Sequence, residues 1–248
     1  MTNFLPLGLG SVVTSHWSLS VLRLDCIVHS GARCVDNVSV GSGDLRRDRF
    51  EYQQVRVDGD HGPIIEGFCA EVPTEGLTVM VGPSGSGKTT LLRLLNRLDD
   101  PDDGVVFFEG RDVREYDVLE LRRRVQSVGQ VPVTFPGTVA SNLGGGSTSD
   151  LLIRVGLDPR LASREADRLS VGEAQRMALA RSLALSPDVL TLDEPTSALD
   201  MANKAGIERL VRELADSGLT VVMVSHDPRH AELADHVIEV SPQKKEEP

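Results

Sequence analysis

The sequence predicts an α/β domain built on a mainly parallel sheet, and three observations predict it. First, V-G-P-S-G-S-G-K-T-T, Val81 to Thr90, lies between an apolar run, Leu77 to Val81, and a leucine-rich helical pattern, Thr89 to Leu98. Second, from Ser170 onward short apolar runs alternate with helical segments, the pattern of strands buried on both faces. Third, one of those runs, Val189 to Leu192, ends in two carboxylates, Asp193 and Glu194. Parallel sheets place ligand sites at the carboxyl ends of their strands.

Gly82, four residues, then Gly87, Lys88 and Thr89 form a phosphate loop in the strand–loop–helix setting that such a motif requires. Its glycines let successive backbone N–H groups curl around a phosphate. The following helix N-terminus adds partial positive charge, Lys88 reaches the outer phosphates as a point charge, and Thr89 offers a hydroxyl to Mg²⁺. The loop residues Gly82, Pro83, Ser84, Gly85, Ser86, Gly87, Lys88, Thr89 and Thr90 are therefore expected to hold a nucleoside triphosphate.

Before the loop, Phe50, Tyr52, Val55 and Val57 read as a strand, Asp58 to Gly62 as a turn and Ile64 to Val72 as a second strand. Together they predict an N-terminal antiparallel β-subdomain. After the loop, Leu91, Leu92, Leu94, Leu95 and Leu98 line one helical face. Asp99 to Gly104 reads as an acidic turn, Val105 to Phe108 as a strand and Val118 to Arg124 as a short helix. Ser141 to Asp150 is rich in Gly, Ser and Thr and reads as a loop, with short helices at Leu151 to Leu157 and Leu161 to Arg168. Then come a helix to Leu185, the strand at Val189, a helix near Asn203 to Asp216, a strand Leu219 to Val224, a helix near Pro228 to Ala234 and a last strand His236 to Val240.

The 248 residues suffice for one large domain with a small subdomain. The expected division is a leader over 1–48, flexible or upstream of the true start, a domain over 49–240 with a helical part at about 136–172, and a polar tail over 241–248. No run approaches the roughly 18–20 apolar residues of a membrane span. The formal charge of −11 argues against a protein that grips nucleic acid. Lysine occurs only at Lys88, Lys204, Lys244 and Lys245. An acidic, lysine-poor chain suits a high-salt cytoplasm, and a genome favouring Arg and Asp codons yields the same composition. Cys26, Cys34 and Cys69 lack metal-ligand spacing and read as ordinary thiols in a reducing compartment.

Three stretches beyond the phosphate loop carry chemistry. Asp193 would help hold Mg²⁺ through its water shell, while Glu194, facing differently, could polarise an attacking water. His226 follows the buried strand Val221 to Ser225, so the same strand-end rule points it toward the γ-phosphate. In L-S-V-G-E-A-Q-R, Leu169 to Arg176, Ser170 reads as a helix N-cap with Glu173 as its capping-box partner, and an exposed helix N-terminus attracts anions.

The phosphate loop, L-S-V-G-E-A-Q-R, L-T-L-D-E-P-T-S-A-L-D and V-S-H-D, in that order, resemble the nucleotide-binding subunit of ATP-binding cassette (ABC) transporters over about 50–240. The resemblance implies the ABC ATPase fold, a P-loop NTPase core with a β-subdomain and a small helical subdomain, with ATP and Mg²⁺ as ligands. By position it implies that Gln130 contacts Mg²⁺ and senses the membrane partner. Ser170 and Gly172 would cap the γ-phosphate of ATP on the other subunit, Asp200 would link the two sites and His226 would be the switch histidine. Catalysis would rest on Glu194, His226, Lys88 and Gln130, and metal binding on Thr89, Gln130 and Asp193.

Val171 and Glu173 depart from the usual L-S-G-G-Q, while Ser170 and Gly172 keep it. The aromatic residue that usually stacks on adenine is not evident in Val57 to His61, leaving His61 as a substitute. Ser170 lies only forty positions after Gln130, so the helical subdomain is small.

The implied protein is a peripheral ATPase on the cytoplasmic face of the membrane, docked on a transmembrane permease, paired head-to-tail with a second ATPase subunit, and served in an importer by a solute-binding protein. N-R-L after the phosphate loop and F-P-G-T-V after Gln130 resemble small importers of inorganic anions or amino acids, and also compact metal-linked exporters. A soluble ABC ATPase acting on ribosomes or DNA would carry two cassettes or a long coiled-coil insertion, and this chain has neither. A P-loop kinase would need an acceptor site and a lid in place of the element at Ser170.

Overall fold

A computed structural model of the protein describes residues 48–60, 62–144 and 147–242. All of the expected leader except Asp48, together with His61 and most of the expected tail, thus lies outside the described residues.

Strands β1 (Asp48–Gly59) and β2 (Gly62–Pro73) form an antiparallel ribbon. β4 (Asp103–Phe108) and the short β5 (Arg111–Asp112) extend it to a four-stranded sheet of order β2-β1-β4-β5. Along β1 the buried positions change phase, from Phe50 and Tyr52 to Val55 and Val57. A register shift between Tyr52 and Val55, with Gln54 at φ 51°, takes up the extra residue as a bulge and keeps both pairs facing inward.

The second sheet has five strands, ordered β6-β7-β8-β3-β9 and paired in parallel throughout: β6 (Val125–Val128), β7 (Val189–Asp193), β8 (Thr220–Ser225), β3 (Gly76–Val81) and β9 (His236–Glu239). Successive strand residues face opposite sides, so the sheet supports two cores. Val79, Leu190, Leu192, Val221 and Met223 pack with α5 (Val171–Leu183), α6 (Met201–Asp216), α3 (Val139–Leu143) and α4 (Thr148–Arg154). Met80, Val189, Val222 and Val224 pack on the other face with α1 (Lys88–Leu94), α2 (Val118–Arg124) and the antiparallel sheet. Tyr52, fully buried, donates its hydroxyl to the Leu91 carbonyl at 3.0 Å and so fastens that sheet to α1.

Several elements differ from expectation. α1 stops at Leu94 rather than Leu98 because Arg97 adopts φ 54° and Leu98 N returns to the Arg93 carbonyl at 2.9 Å, a left-handed helix stop without the usual glycine. Leu98 is consequently exposed. β6 follows α2 with no turn signal between them, and α3 and α4, capped by Thr138 and Ser147, occupy part of the expected loop. The expected helix over 161–168 is instead two 3₁₀ turns, Pro159–Ser163 and Ala166–Arg168. Glu165 is held extended between them by a bridge to Thr138. Cys69 is disulfide-bonded rather than the ordinary thiol expected, since composition counts cysteines without locating them.

The last helix, α7 (Arg229–Leu233), is a single short turn before β9. No helix among the described residues is long and apolar enough to cross a membrane.

Candidate active site

Parallel register brings the candidate residues into one row. β7, β8 and β3 are neighbours, with Asp193 opposite Val224 and Val81 opposite Ser225. The residues that follow, Glu194, His226 and Gly82, therefore emerge side by side at the carboxyl edge of the sheet.

Two glycines make the phosphate loop possible. At Gly82, with φ 155°, an added Cβ would lie 2.2 Å from the Val240 carbonyl oxygen. At Gly87, with φ 90°, it would lie 2.4 Å from Ile65 Cδ1. Between them Pro83, Ser84 and Gly85 are exposed, while Ser86 is buried with no hydrogen-bond partner for its hydroxyl among the described residues. Lys88 is buried at the start of α1 and donates to the Gly82 carbonyl at 2.9 Å and the Pro83 carbonyl at 2.7 Å. A buried, unpartnered hydroxyl beside an ammonium and a curled backbone fits a phosphate, which supplies acceptors for all three. Thr90 is half-buried in the first turn of α1.

Thr89 Oγ1 donates to Asp193 Oδ1 at 3.1 Å, joining the phosphate loop to the end of β7. Burial raises the Asp193 pKa above the usual aspartate range, opposed by the Thr89 hydrogen bond and by the positive charges of Arg93 and Lys88. A half-buried carboxylate beside a hydroxyl offers the oxygen ligands a hard divalent cation prefers, so the pair fits Mg²⁺.

Glu194 is where three expected residues meet. Its backbone takes φ 45°, unusual for a non-glycine residue and costing about 1–3 kcal/mol. Glu194 N donates to the Val224 carbonyl at 3.1 Å, and its own carbonyl accepts from Ser197 N at 3.1 Å. Oε2 lies 3.2 Å from Nδ1 of His226 and accepts from Gln130 Nε2 at 3.3 Å. Gln130 bonds also to Ser197 Oγ at 3.3 Å, a contact the sequence reading missed although Ser197 stands within D-E-P-T-S. The glutamine thus bonds to Glu194 and Ser197 rather than to the Thr89–Asp193 pair. A cavity of about 210 Å³ beside Glu194 and His226 is also lined by Ser197, Lys204, Ser225 and Asp227.

Ser170, Gly172 and Asp200 form a separate group. Ser170 caps α5 in the expected capping box: its Oγ accepts from Glu173 N at 3.3 Å, and Glu173 Oε2 accepts from Ser170 N at 2.8 Å. The Ser170 backbone N–H, and then its hydroxyl, donating to Glu173 Oε2 hold the Glu173 pKa below the ordinary glutamate range. Asp200 caps α6 through Asn203 N at 2.9 Å and accepts from Asn203 Nδ2 at 2.8 Å. A Cβ on Gly172 would stand 2.9 Å from the Asn203 side chain, so the starts of α5 and α6 abut. Asn203 is a contact that the spacing of the motifs does not reveal. The bonding partners of Ser170 and Asp200 lie within this group, not among the phosphate-loop residues.

Residues 66–197 match the family profile described as ABC transporter. Protein STAR1 of Oryza sativa subsp. japonica is 45% identical over 200 residues, covering 72% of this chain and 58% of that protein. The phosphate import ATP-binding protein PstB of Saccharolobus solfataricus is 34% identical over 221 residues, 79% of this chain and 86% of that one. The dimeric structure of a post-hydrolysis state of the ATP-binding cassette MJ0796, bound to ADP and Pi, superposes with a TM-score of 0.68 at 27% identity, over 79% of this chain and 97% of that one.

Proposed function

The chain belongs to the ABC transporter family, as an ABC-type ATPase, and on that premise we propose that it is the ATP-hydrolysing subunit powering a membrane importer of a small solute, an inorganic anion such as phosphate or an amino acid. The observation that carries the hydrolytic part is the convergence of Gln130 and His226 on Glu194, one residue beyond the Asp193–Thr89 contact. The importer part is supported by the likeness to the PstB protein over most of both chains.

In this reading Lys88, the Ser86 hydroxyl and the loop amides hold the β- and γ-phosphates. Thr89 and Asp193 would hold Mg²⁺, which supplies charge neutralisation at the phosphate oxygens. The Glu194 carboxylate would orient a water for in-line attack, and His226, anchored on its Oε2, would contact the γ-phosphate. Ser170 and Gly172, exposed and buried at the α5 start, would cap ATP held by a second subunit, with Asp200 at the seam. Beside Gln130 the chain displays Val131, Val133 and Phe135, each more than half exposed, an apolar surface suited to a permease.

The test is to tag the Glu194→Gln form, purify it with ATP from gently solubilised membranes of its own cell and identify what accompanies it. A multi-span membrane protein is the expected companion, and an associated solute-binding protein narrows the solute. Ribosomal or DNA-repair proteins would overturn the transport reading.

A further inference from the structure

β8 ends in Ser225, which is 4% exposed and lies directly before the exposed His226. Although Ser225 lines the cavity beside Glu194, its hydroxyl bonds to none of Glu194, His226 or Gln130 and is engaged elsewhere. Ser225 Oγ accepts from Asp227 N at 2.9 Å and lies 2.6 Å from Nδ1 of His230 in α7. The other ring nitrogen, Nε2, lies 2.8 Å from Oε1 of Glu208 in α6, and His230 itself is only 1% exposed.

The chemistry of this chain is self-consistent. A carboxylate only accepts, so Glu208 takes the Nε2–H of His230. In the neutral ring Nδ1 then accepts the Ser225 hydroxyl proton, leaving the serine oxygen to accept the Asp227 amide. Three hydrogen bonds thereby run from α6 to the peptide just after His226. One turn earlier on α6, Lys204 pairs with the Asp227 side chain, which also accepts from Arg229 at 2.7 Å. The backbone on both sides of His226 is thus held from α6, while the His226 side chain stays 62% exposed and free to work.

We propose that His230 is a positioning residue for His226: by tying Ser225 to Glu208 it fixes the backbone from which the His226 ring reaches Glu194. The proposal rests on the reading of Glu194 and His226 as the hydrolytic pair. A buried imidazole with both nitrogens bonded is rigid, and small displacements of catalytic groups carry large rate effects.

The experiment measures Mg-ATP hydrolysis against ATP concentration, with ATP affinity and melting temperature, for the full chain and its variants. His230→Ala and Ser225→Ala are expected to lower kcat about tenfold, with KM and ATP affinity unchanged within about twofold. His230→Asn, whose amide takes the place of Nδ1, recovers most of the rate, whereas His230→Gln does not. In the His226→Ala background, His230→Ala causes no further loss, because the two act through one group. Deuterium exchange at the Asp227 amide accelerates in His230→Ala and Ser225→Ala, a readout that stands even where residual activity is too low to compare. Unchanged kcat in both single variants, or unchanged Asp227 exchange, would overturn the proposal. Should His230→Ala not fold, Ser225→Ala decides. Wild-type hydrolysis by His226→Ala would instead sink the underlying reading of His226, whatever the His230 variants do.

Discussion

Gly82 faces Val240 so closely that a methyl group on it would lie 2.2 Å from the Val240 carbonyl oxygen. Val240 N also donates to the Val81 carbonyl at 2.8 Å, so the phosphate loop is seated against the end of the last strand. Gly82→Ala should therefore lower stability by about 2–4 kcal/mol and weaken ATP binding. Gly85→Ala, with φ 77° and open space around it, meets no such clash and should cost about 1–2 kcal/mol. Denaturant melts and nucleotide titrations of both variants check the contrast. Equal losses would show that backbone conformation alone matters.

Glu194→Gln keeps the side chain's size and removes its charge. Hydrolysis should fall by about 10²–10⁴-fold while ATP affinity persists. With ATP present, gel filtration should show an accumulated dimer. Near-normal phosphate release would remove Glu194 from its proposed role.

Asp193 has its pKa raised by burial, so the folded state pays for the ionised form. By linkage, its contribution favours folding below the unfolded pKa and is lost as pH rises through the higher folded value. Asp193→Asn should thus raise the melting temperature of the nucleotide-free protein at pH 7, and the gain should vanish below about pH 4. The same variant should lose the extra stabilisation that Mg²⁺ adds to ATP. A melting temperature that falls at pH 7 would contradict the burial argument.

Ser170→Ala removes one arm of the α5 capping box and should cost about 1 kcal/mol. Its proposed second role predicts more: hydrolysis should fall well beyond what that loss of stability explains, with the affinity of the monomer for ATP unchanged. Parallel decline of both would leave Ser170 a cap alone.

The strands, and the gathering of Asp193, Glu194 and His226 at their ends, were legible in the sequence because both obey simple rules. Val189 to Leu192 and Thr220 to Ser225 are buried on both faces, and such strands read as short, mostly apolar runs. The bulge at Gln54 and the helix stop at Arg97 were not legible, since each uses a left-handed residue other than glycine. β6 was missed because V-Q-S-V is short, half polar and placed at a sheet edge directly after a helix. The 3₁₀ turns replaced a helix because a bridge to Thr138, far along the chain, holds Glu165 extended. His230 and Glu208 carry no motif at all, and only the packing of α7 against α6 brings them together.

The five-stranded sheet stands between α1, which begins at the phosphate loop, and α5, which begins at Ser170. On the proposed reading a chain therefore supplies half of one reaction chamber and half of another, and completes neither alone. Dilution then becomes a variable of catalysis: specific activity should decline as protein concentration drops below the dissociation constant of the pair. Mixing an intact chain with one disabled at Ser170 should titrate activity by the statistics of pairing, not in simple proportion to intact chain.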